Sequence, residues 1–156
     1  MKNECIIDSY GTKKWYQNDV LYRDNDKPAV IRSDGTKEWF QNGLLHRDND
    51  RPAFINSNGD QYWYQYDHLH RDNDEPAIIC TNGDKLWYQN NLLHRDNDEP
   101  AVIYSNGNKY WFQNGALHRN NGAALEYFDG TKCWFIVGKE YSEEEYWRRI
   151  KLLVFR

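Results

Sequence analysis

Six of the seven tryptophans in this chain recur at intervals of 24 residues, with a final interval of 23. They are Trp15, Trp39, Trp63, Trp87, Trp111 and Trp134. After each of the first five, the chain continues with variants of Tyr or Phe, Gln, Asn-Gly, Leu-His-Arg, Asp-Asn-Asp and Pro-Ala. A fixed period of this length is typical of a repeat array, in which one small supersecondary unit stacks along an axis. A residue that occurs in every unit is therefore interpreted first as a contact between units and only second as a chemical group.

Length and composition favour one thin domain. We expect a single repeat domain over residues 1–156, with repeats over about 6–137 and a closing helix over about 142–154. Only 39% of the residues are hydrophobic, yet 16% are aromatic. The chain therefore buries area with large flat rings and not with a thick aliphatic core. These proportions favour an elongated sheet over a globule.

The turn residues of each unit predict β-hairpins. In residues 28–51, Asp34-Gly35 joins one pair of short β-prone runs and Asn42-Gly43 joins a second pair. Both dipeptides favour two-residue type I′ turns, whose central positions need positive φ. Each unit is then two or three short antiparallel strands in a long meander. The predicted fold is an all-β, elongated antiparallel β-hairpin repeat array of about six units of ~24 residues.

A two-residue turn at Asn42-Gly43 also predicts a register. Phe40 would lie opposite Leu45, and Trp39 opposite His46, with the two pairs on opposite faces. A one-residue bulge at the Asp34-Gly35 turn would change which Val, Ile or Ala joins which face. The sequence therefore leaves open which face packs inward.

The C-terminal segment has a helical pattern. Ser142 and Glu145 form a capping-box sequence, with acidic residues in the first turn and basic residues later, as the helix dipole favours. The apolar stripe consists of Tyr146, Ile150 and Leu153, with Trp147 and Val154 beside it. A helix here would close the last edge of the sheet, as repeat arrays require.

The phrase Asn-Gly-x-Leu-His-Arg-Asp-Asn-Asp-x-Pro-Ala, followed by Asn-Gly-Asp-Lys-x-Trp-Tyr, resembles the divergent MORN-type repeats of bacterial, bacteriophage and large DNA virus proteins. The ending Val-Gly-Lys-Glu-Tyr-Ser-Glu-Glu-Glu-Tyr-Trp-Arg is similar to the closing helix that often follows them. The resemblance covers about residues 6–150. It implies hairpin arrays that scaffold protein contacts or associate with membranes, and some bacterial variants are antitoxin-like. This chain lacks the Tyr-x-Gly-x-Trp phrases on which the lipid-binding inference for eukaryotic members rests.

Four histidines also follow the period: His46, His70, His94 and His118. Equivalent residues lie two or three strands apart, roughly 10–14 Å at ~4.8 Å per strand. Zinc–nitrogen bonds are only ~2 Å long, so two of these histidines cannot share an ion within one array. We therefore predict no metal site and interpret the histidines as packed side chains near Trp.

Four Asp-Asn-Asp loops occupy residues 24–26, 48–50, 72–74 and 96–98. A weakly bound calcium ion in each loop is one interpretation, although calcium prefers six to eight oxygen ligands. The other is Asx-turn chemistry, in which these side chains bond their own backbone before the following Pro. The repeated arginines are expected to hold the loops through carboxylate pairs; they are Arg23, Arg47, Arg71, Arg95 and Arg119.

The tryptophan ladder is either the core of the array or, if one aromatic column is exposed, a track for an extended glycan or peptide. Enzyme motifs such as Gly-x-Ser-x-Gly, His-Glu-x-x-His and paired cysteines are absent. We therefore predict no catalytic residues and no cofactor. The formal net charge of −4 provides no basic patch for nucleic acid or membrane. The N-terminus has no apolar signal segment, which favours a cytoplasmic protein, in the host cytoplasm if the chain is viral.

The predicted function is a non-catalytic scaffold or adaptor that binds another protein; the alternatives are an antitoxin or immunity protein and a glycan-binding module. Specificity would come from positions that vary between units, with the repeated Trp and His residues as further candidates. The candidate binding residues are Trp39, Trp63, Trp87, Trp111, His46, His70, His94, His118, Leu44, His68, Leu92, Glu38, Tyr62, Leu86 and Tyr110. Further variable positions are Ala116, Lys14, Lys27, Arg51, Glu75 and Glu99.

Overall fold

The computed structural model describes residues 4–154 and the side chains of residues 4–152. The first unit contains β1 (Glu4–Ile7), β2 (Lys13–Gln17) and β3 (Val20–Leu21). The four central units contain β4 (Val30–Ile31), β5 (Lys37–Glu38), β6 (Phe40–Gln41) and β7 (Leu44–Leu45); β8 (Phe54–Ile55), β9 (Gln61–Tyr62), β10 (Tyr64–Gln65) and β11 (His68–Leu69); β12 (Ile78–Ile79), β13 (Lys85–Leu86), β14 (Tyr88–Gln89) and β15 (Leu92–Leu93); β16 (Val102–Ile103), β17 (Lys109–Tyr110), β18 (Phe112–Gln113) and β19 (Ala116–Leu117). The last unit contains β20 (Leu125–Glu126), β21 (Lys132–Ile136) and β22 (Lys139–Tyr141), followed by α1 (Glu143–Val154).

One continuous antiparallel sheet of 14 strands runs through all the units. Its strands follow chain order, with β3 pairing to one side and the second hairpins β6–β7, β10–β11, β14–β15 and β18–β19 forming four separate two-stranded sheets. The prediction of an elongated antiparallel hairpin array is confirmed. The predicted register of the second hairpin is confirmed as well, because Phe40 pairs with Leu45 and the amide of His46 donates to the Trp39 carbonyl at 3.0 Å.

The prediction of two or three strands per unit is wrong for the central units, each of which has four short strands. The reason lies at the tryptophan. The amide of Trp39 donates to the Ala53 carbonyl of the next unit at 2.8 Å, whereas its carbonyl accepts from His46 of its own unit. The strand therefore changes partner at Trp39 and divides into β5 and β6. In the terminal units, β2 and β21 run through their tryptophans without interruption.

The two turns of each unit differ, and the type I′ prediction holds only for the second. Asn42 and Gly43 have φ values of 52° and 78°, as a type I′ turn requires. In the first turn only Gly35 has positive φ, at 93°. The Arg32 amide donates to the Thr36 carbonyl, and the Gly35 amide donates to the Arg32 carbonyl. This is the hydrogen-bond pattern of a type I turn followed by a glycine bulge. The bulge sets which residues face inward.

Tryptophan and alanine form the centre of each unit junction. Trp39, Trp63, Trp87 and Trp111 are between 5% and 7% exposed, so their interpretation as the core is confirmed. Each donates its amide to the alanine carbonyl of the following unit. These alanines, Ala53, Ala77, Ala101 and Ala124, are fully buried, so a larger side chain there would have to displace its close-packed neighbours.

The closing helix α1 is confirmed, and it completes the last loop of the array. Ser142 Oγ accepts from the Glu145 amide at 3.3 Å, which forms one arm of the capping box. Tyr146 is fully buried and Ile150 nearly so, whereas the side chains of Leu153 and Val154 lie outside the described residues. The Tyr146 hydroxyl donates to the Arg119 carbonyl at 2.5 Å and accepts from the Gly122 amide at 3.2 Å.

Candidate interaction surfaces

The Trp–Arg pair of one unit closes the Asp-Asn-Asp loop of the unit before it. Trp63 Nε1 donates to the Asp50 carbonyl at 3.1 Å, and Arg71 donates to both Asp50 carboxylate oxygens at 2.8 and 2.7 Å. The Arg71 guanidinium lies 3.9 Å from the Trp63 ring centroid and also donates to the Pro76 carbonyl at 3.2 Å. Equivalent clamps join Trp39 and Arg47 to Asp26, Trp87 and Arg95 to Asp74, and Trp111 and Arg119 to Asp98. The expected arginine–carboxylate pairs are confirmed for Arg47, Arg71, Arg95 and Arg119, and they cross unit boundaries. Arg23 instead donates to the Pro28 carbonyl at 3.2 Å.

These arginines also set the ionisation of the loop carboxylates. The hydrogen bond from Arg71 lowers the pKa of Asp50, against the opposing effect of burial. The pKa values of Asp26 and Asp74 are lowered by the equivalent hydrogen bonds from Arg47 and Arg95. One carboxylate in each of these loops is therefore ionised and already paired with a cation of the protein.

The Asx-turn interpretation of these loops is wrong. The second and third loop residues have positive φ, as in Asn73 at 62° and Asp74 at 57°, and the Glu75 amide donates to the Asp72 carbonyl at 3.3 Å. The main chain closes the turn, which releases the carboxylates to bind Arg and His. Asx contacts occur instead at the first turns, where Asp34 accepts from the Thr36 amide at 2.8 Å.

Three of the repeated histidines bond their own loop through Nε2 and the next unit through Nδ1. His70 Nε2 lies 3.1 Å from the first carboxylate of its own loop, Asp72, and Nδ1 accepts from the Asn90 amide of the next unit at 3.2 Å. His94 and His118 make the same contact, with the amides of Asn114 and Val137. The accepting Nδ1 fixes the neutral tautomer with its proton on Nε2. These imidazoles are therefore structural connectors in the fold.

His46 departs from this pattern. Its Nδ1 is buried without a hydrogen-bond partner, and its ring stacks on Tyr66 at 4.2 Å with an interplanar angle of 8°. Tyr66 stands at the hairpin-tip position that Asn18, Asn42, Asn90 and Asn114 occupy in other units. At this unit junction the stacking of Tyr66 on His46 replaces the hydrogen bond from a backbone amide to the histidine Nδ1 that is present in the following units.

Shallow clefts open between successive loops and repeat with the unit. One lies between the His70 and His94 units and includes Asp72, Trp87 and Arg95 in its lining; others occupy the same place in neighbouring units. Most polar groups that line them are the clamp and histidine contacts described above. Among residues 4–154, no group of three or more His, Cys, Asp or Glu side chains has the arrangement to hold a metal ion.

The predicted binding residues fall into buried and exposed groups. The four tryptophans are buried, so they do not form the exposed track that glycan binding would require. Glu38 is also buried, at 7% exposure, and Arg32 donates to it at 2.7 Å. Tyr62, Leu86 and Tyr110 are only partly exposed, because their register places them on the same face as Glu38. These positions before Trp contribute to packing, and alanine there would disturb the fold.

The positions at the second hairpin tips are exposed. We define the tip ridge as the apolar residues at and just after these turns: Val20, Leu44, Tyr66, Leu92 and Val137, which are 39–72% exposed. His68 is exposed and Ala116 partly exposed at equivalent positions. Adjacent tips are bonded to each other, since the Asn91 amide donates to the Leu69 carbonyl at 3.0 Å. The tip ridge is therefore an aligned row of apolar side chains.

Sequence reasoning missed a second row, on the long sheet. A lysine stands two residues before Trp in every unit except that of Trp63, where Gln61 replaces it. The period was visible in the sequence, but the cross-strand register that aligns the lysines with isoleucines depends on the bulged first turn.

Cys5, Cys80 and Cys133 are free thiols, and burial raises the pKa of Cys80 and Cys133. Within residues 4–154, no helix has both the length and the apolar character needed to cross a membrane.

The chain matches no protein-family model, and comparison with curated proteins found no match.

Proposed function

We propose that this protein is a non-catalytic scaffold or adaptor that binds another protein along its repeat array. The observation that carries the proposal is the tip ridge. Large apolar side chains are 39–72% exposed at five of the six second-hairpin tips, and exposed apolar residues that lie close together are typical of interaction sites. The resemblance to MORN-type repeats, which implies a scaffolding role, supports the same function.

The distribution of polar residues also supports binding over catalysis. The repeated Arg, His and Asp residues are engaged in contacts between units, as in the Arg71–Asp50 and His70–Asn90 pairs. An active site needs a convergent cluster of groups with distinct roles, whereas these groups are copies of one structural position. The positions that differ between units, such as Leu44 and His68, are exposed and are available to select a partner.

The test uses charged substitutions in the tip ridge. The double variant Leu44→Asp/Leu92→Asp should fold with an unchanged circular dichroism spectrum and lose its partners in quantitative affinity capture from the cell of origin. The matched control is Phe128→Asp/Leu152→Asp, which changes two apolar residues that are 75% and 67% exposed outside the ridge. The control should retain the partners. Equal capture by both double variants would contradict a role for the tip ridge.

A further inference from the structure

Lysine and isoleucine alternate along one face of the 14-stranded sheet. We define the Lys–Ile stripe as this cross-strand column: Ile7, Lys13, Ile31, Lys37, Ile55, Gln61, Ile79, Lys85, Ile103, Lys109, Glu126 and Lys132. Each residue is directly paired with the next one across the sheet, so all the side chains point to one face. The stripe is therefore an unbroken line across the long sheet.

The lysines of the stripe are exposed, and the carboxylates of the described residues form no ion pair with them. All five are exposed, whereas Ile31, Ile55, Ile79 and Ile103 are partly covered. Within the described residues, none of the five lysines forms an ion pair with a carboxylate. The repeated arginines differ, since four of them pair with loop aspartates. Lys13, Lys37 and Lys85 thus carry positive charge that no carboxylate within the stripe offsets, whereas Glu126 lies directly opposite Lys109 and Lys132, on a chain whose formal net charge is −4.

We infer that the Lys–Ile stripe binds an amphipathic α-helix of a partner protein, with acidic side chains over the lysines and apolar side chains over the isoleucines. This inference rests on the proposed scaffold function and names the chemistry of one partner. The helix would lie across the strands, along the axis of the array. In a seven-residue repeat, positions a and d lie on the same face of a helix. The acidic residues would occupy one of these two positions and the apolar residues the other.

The spacing of the stripe selects a helix over other peptide conformations. Neighbouring strands lie ~4.8 Å apart, so lysines recur about every 9.6 Å with an isoleucine midway. A helix rises 1.5 Å per residue, so a seven-residue repeat spans about 10.5 Å with a second contact three or four residues on. An extended strand returns to one face about every 6.7 Å, which matches neither spacing. A polyproline II helix returns about every 9.3 Å but leaves the isoleucines without a partner. The seven-residue repeat of the helix and the spacing of the lysines on the sheet differ by about 0.9 Å per unit. Because this mismatch accumulates, a helix stays aligned with the stripe over about three or four units.

The composition of the stripe disfavours broad or dense polyanions. Phosphates of nucleic acid would lie against isoleucine, and the stripe contains no aromatic side chain for base stacking. Glu126 also lies in the stripe, although Arg119 pairs with it at 2.9 Å. An acidic helix supplies both an anion for each lysine and apolar area for each isoleucine.

The test measures binding of the full chain to designed fluorescent peptides by anisotropy. The probe is a three-heptad helix with Glu at position a and Leu at position d; the matched control has the same composition with the Glu and Leu positions scrambled. Wild-type protein should bind the heptad peptide and bind the scrambled peptide at least about tenfold more weakly. Lys37→Gln/Lys85→Gln/Lys109→Gln should weaken binding about tenfold or more, at about two- to fivefold for each exposed ion pair.

Two further variants make the result specific to the stripe. Gln61→Lys, which completes the lysine column, should strengthen binding about two- to fivefold. Lys139→Gln/Lys151→Gln removes two exposed lysines outside the stripe and should leave the dissociation constant unchanged. Equal binding of the two peptides, or tighter lysine-dependent binding of double-stranded DNA or phosphatidylserine vesicles, would overturn the inference. If the heptad peptide fails to bind while Leu44→Asp/Leu92→Asp still abolishes partner capture, the stripe inference fails and the scaffold function stands.

Discussion

Replacement of Arg71 provides the sharpest test of how one unit holds the next. The side chain is 11% exposed, whereas its partner Asp50 is 57% exposed, so the ion pair contributes under about 1 kcal/mol. Stacking on Trp63 adds about 0.5–2 kcal/mol, and withdrawing the donor from the Pro76 carbonyl costs about 1–3 kcal/mol. Arg71→Ala should therefore lower the free energy of unfolding by about 1.5–6 kcal/mol.

Two companion variants separate geometry from charge. Asp50→Asn keeps the main-chain carbonyl that accepts from Trp63 and removes only the charge, so it should cost under about 1 kcal/mol. Arg71→Lys keeps the charge but cannot stack and donate to Asp50 and Pro76 together, so it should recover less than half of the loss caused by Arg71→Ala.

The assay is equilibrium unfolding in urea followed by tryptophan fluorescence. Repeat arrays can unfold in parts, so the slope of the unfolding free energy against urea concentration must be the same for all variants. Hydrogen exchange of the His70 amide provides a local measurement of stability. The reasoning would be refuted if Asp50→Asn destabilised the protein as much as Arg71→Ala did, or if Arg71→Lys matched the wild type.

Three other predictions concern the loops, the turns and the closing helix. Arginine lowers the pKa values of Asp26, Asp50 and Asp74. The stabilising contribution of these carboxylates is therefore present above the ordinary Asp pKa of 3.8 and is lost as the pH falls through the lowered values. Calorimetry should show that acid lowers the Tm of Asp50→Asn by less than it lowers the Tm of the wild type. Gly59→Ala introduces a side chain at a φ of +92°, 3.3 Å from Thr81 Cγ2, and should lower stability by about 1–2 kcal/mol in urea titrations, with Asn58→Ala as the control without positive φ. Tyr146→Phe removes both contacts of the hydroxyl and should cost about 1–2 kcal/mol, with faster hydrogen exchange at the Gly122 amide; unchanged exchange there would contradict the role of α1 in completing the last loop.

The features that the sequence predicted correctly depend on local chemistry. Asn-Gly specifies the Asn42-Gly43 turn and hence the Phe40–Leu45 pairing, because the turn alone determines a hairpin register. Ser142 and Glu145 likewise specify the start of α1. The tryptophan core was one of the two interpretations that the sequence allowed for the ladder, and the burial of Trp39, Trp63, Trp87 and Trp111 decides between them.

The features that the sequence left open depend on contacts between units. Glu38 is polar and varies between units, yet the bulge at Gly35 places it on the inner face beside Arg32, where it is buried. The Asp-Asn-Asp loops have Asx-turn composition, but the Arg71–Asp50 contact spans 21 residues and no local rule predicts it. The partner switch at Trp39 also depends on Ala53 of the following unit, so the strand count could not be read from a single unit.

The clamps all point one way, because the loop at Asp50 is completed by Trp63 and Arg71 from further along the chain. During synthesis from the N-terminus, each loop would remain incomplete until the downstream residues had left the ribosome. Assembly would then advance with a lag of one unit, and the loop at Arg119 would wait for Tyr146. The loop at Arg119 would therefore be the last to close, after α1 has emerged and folded.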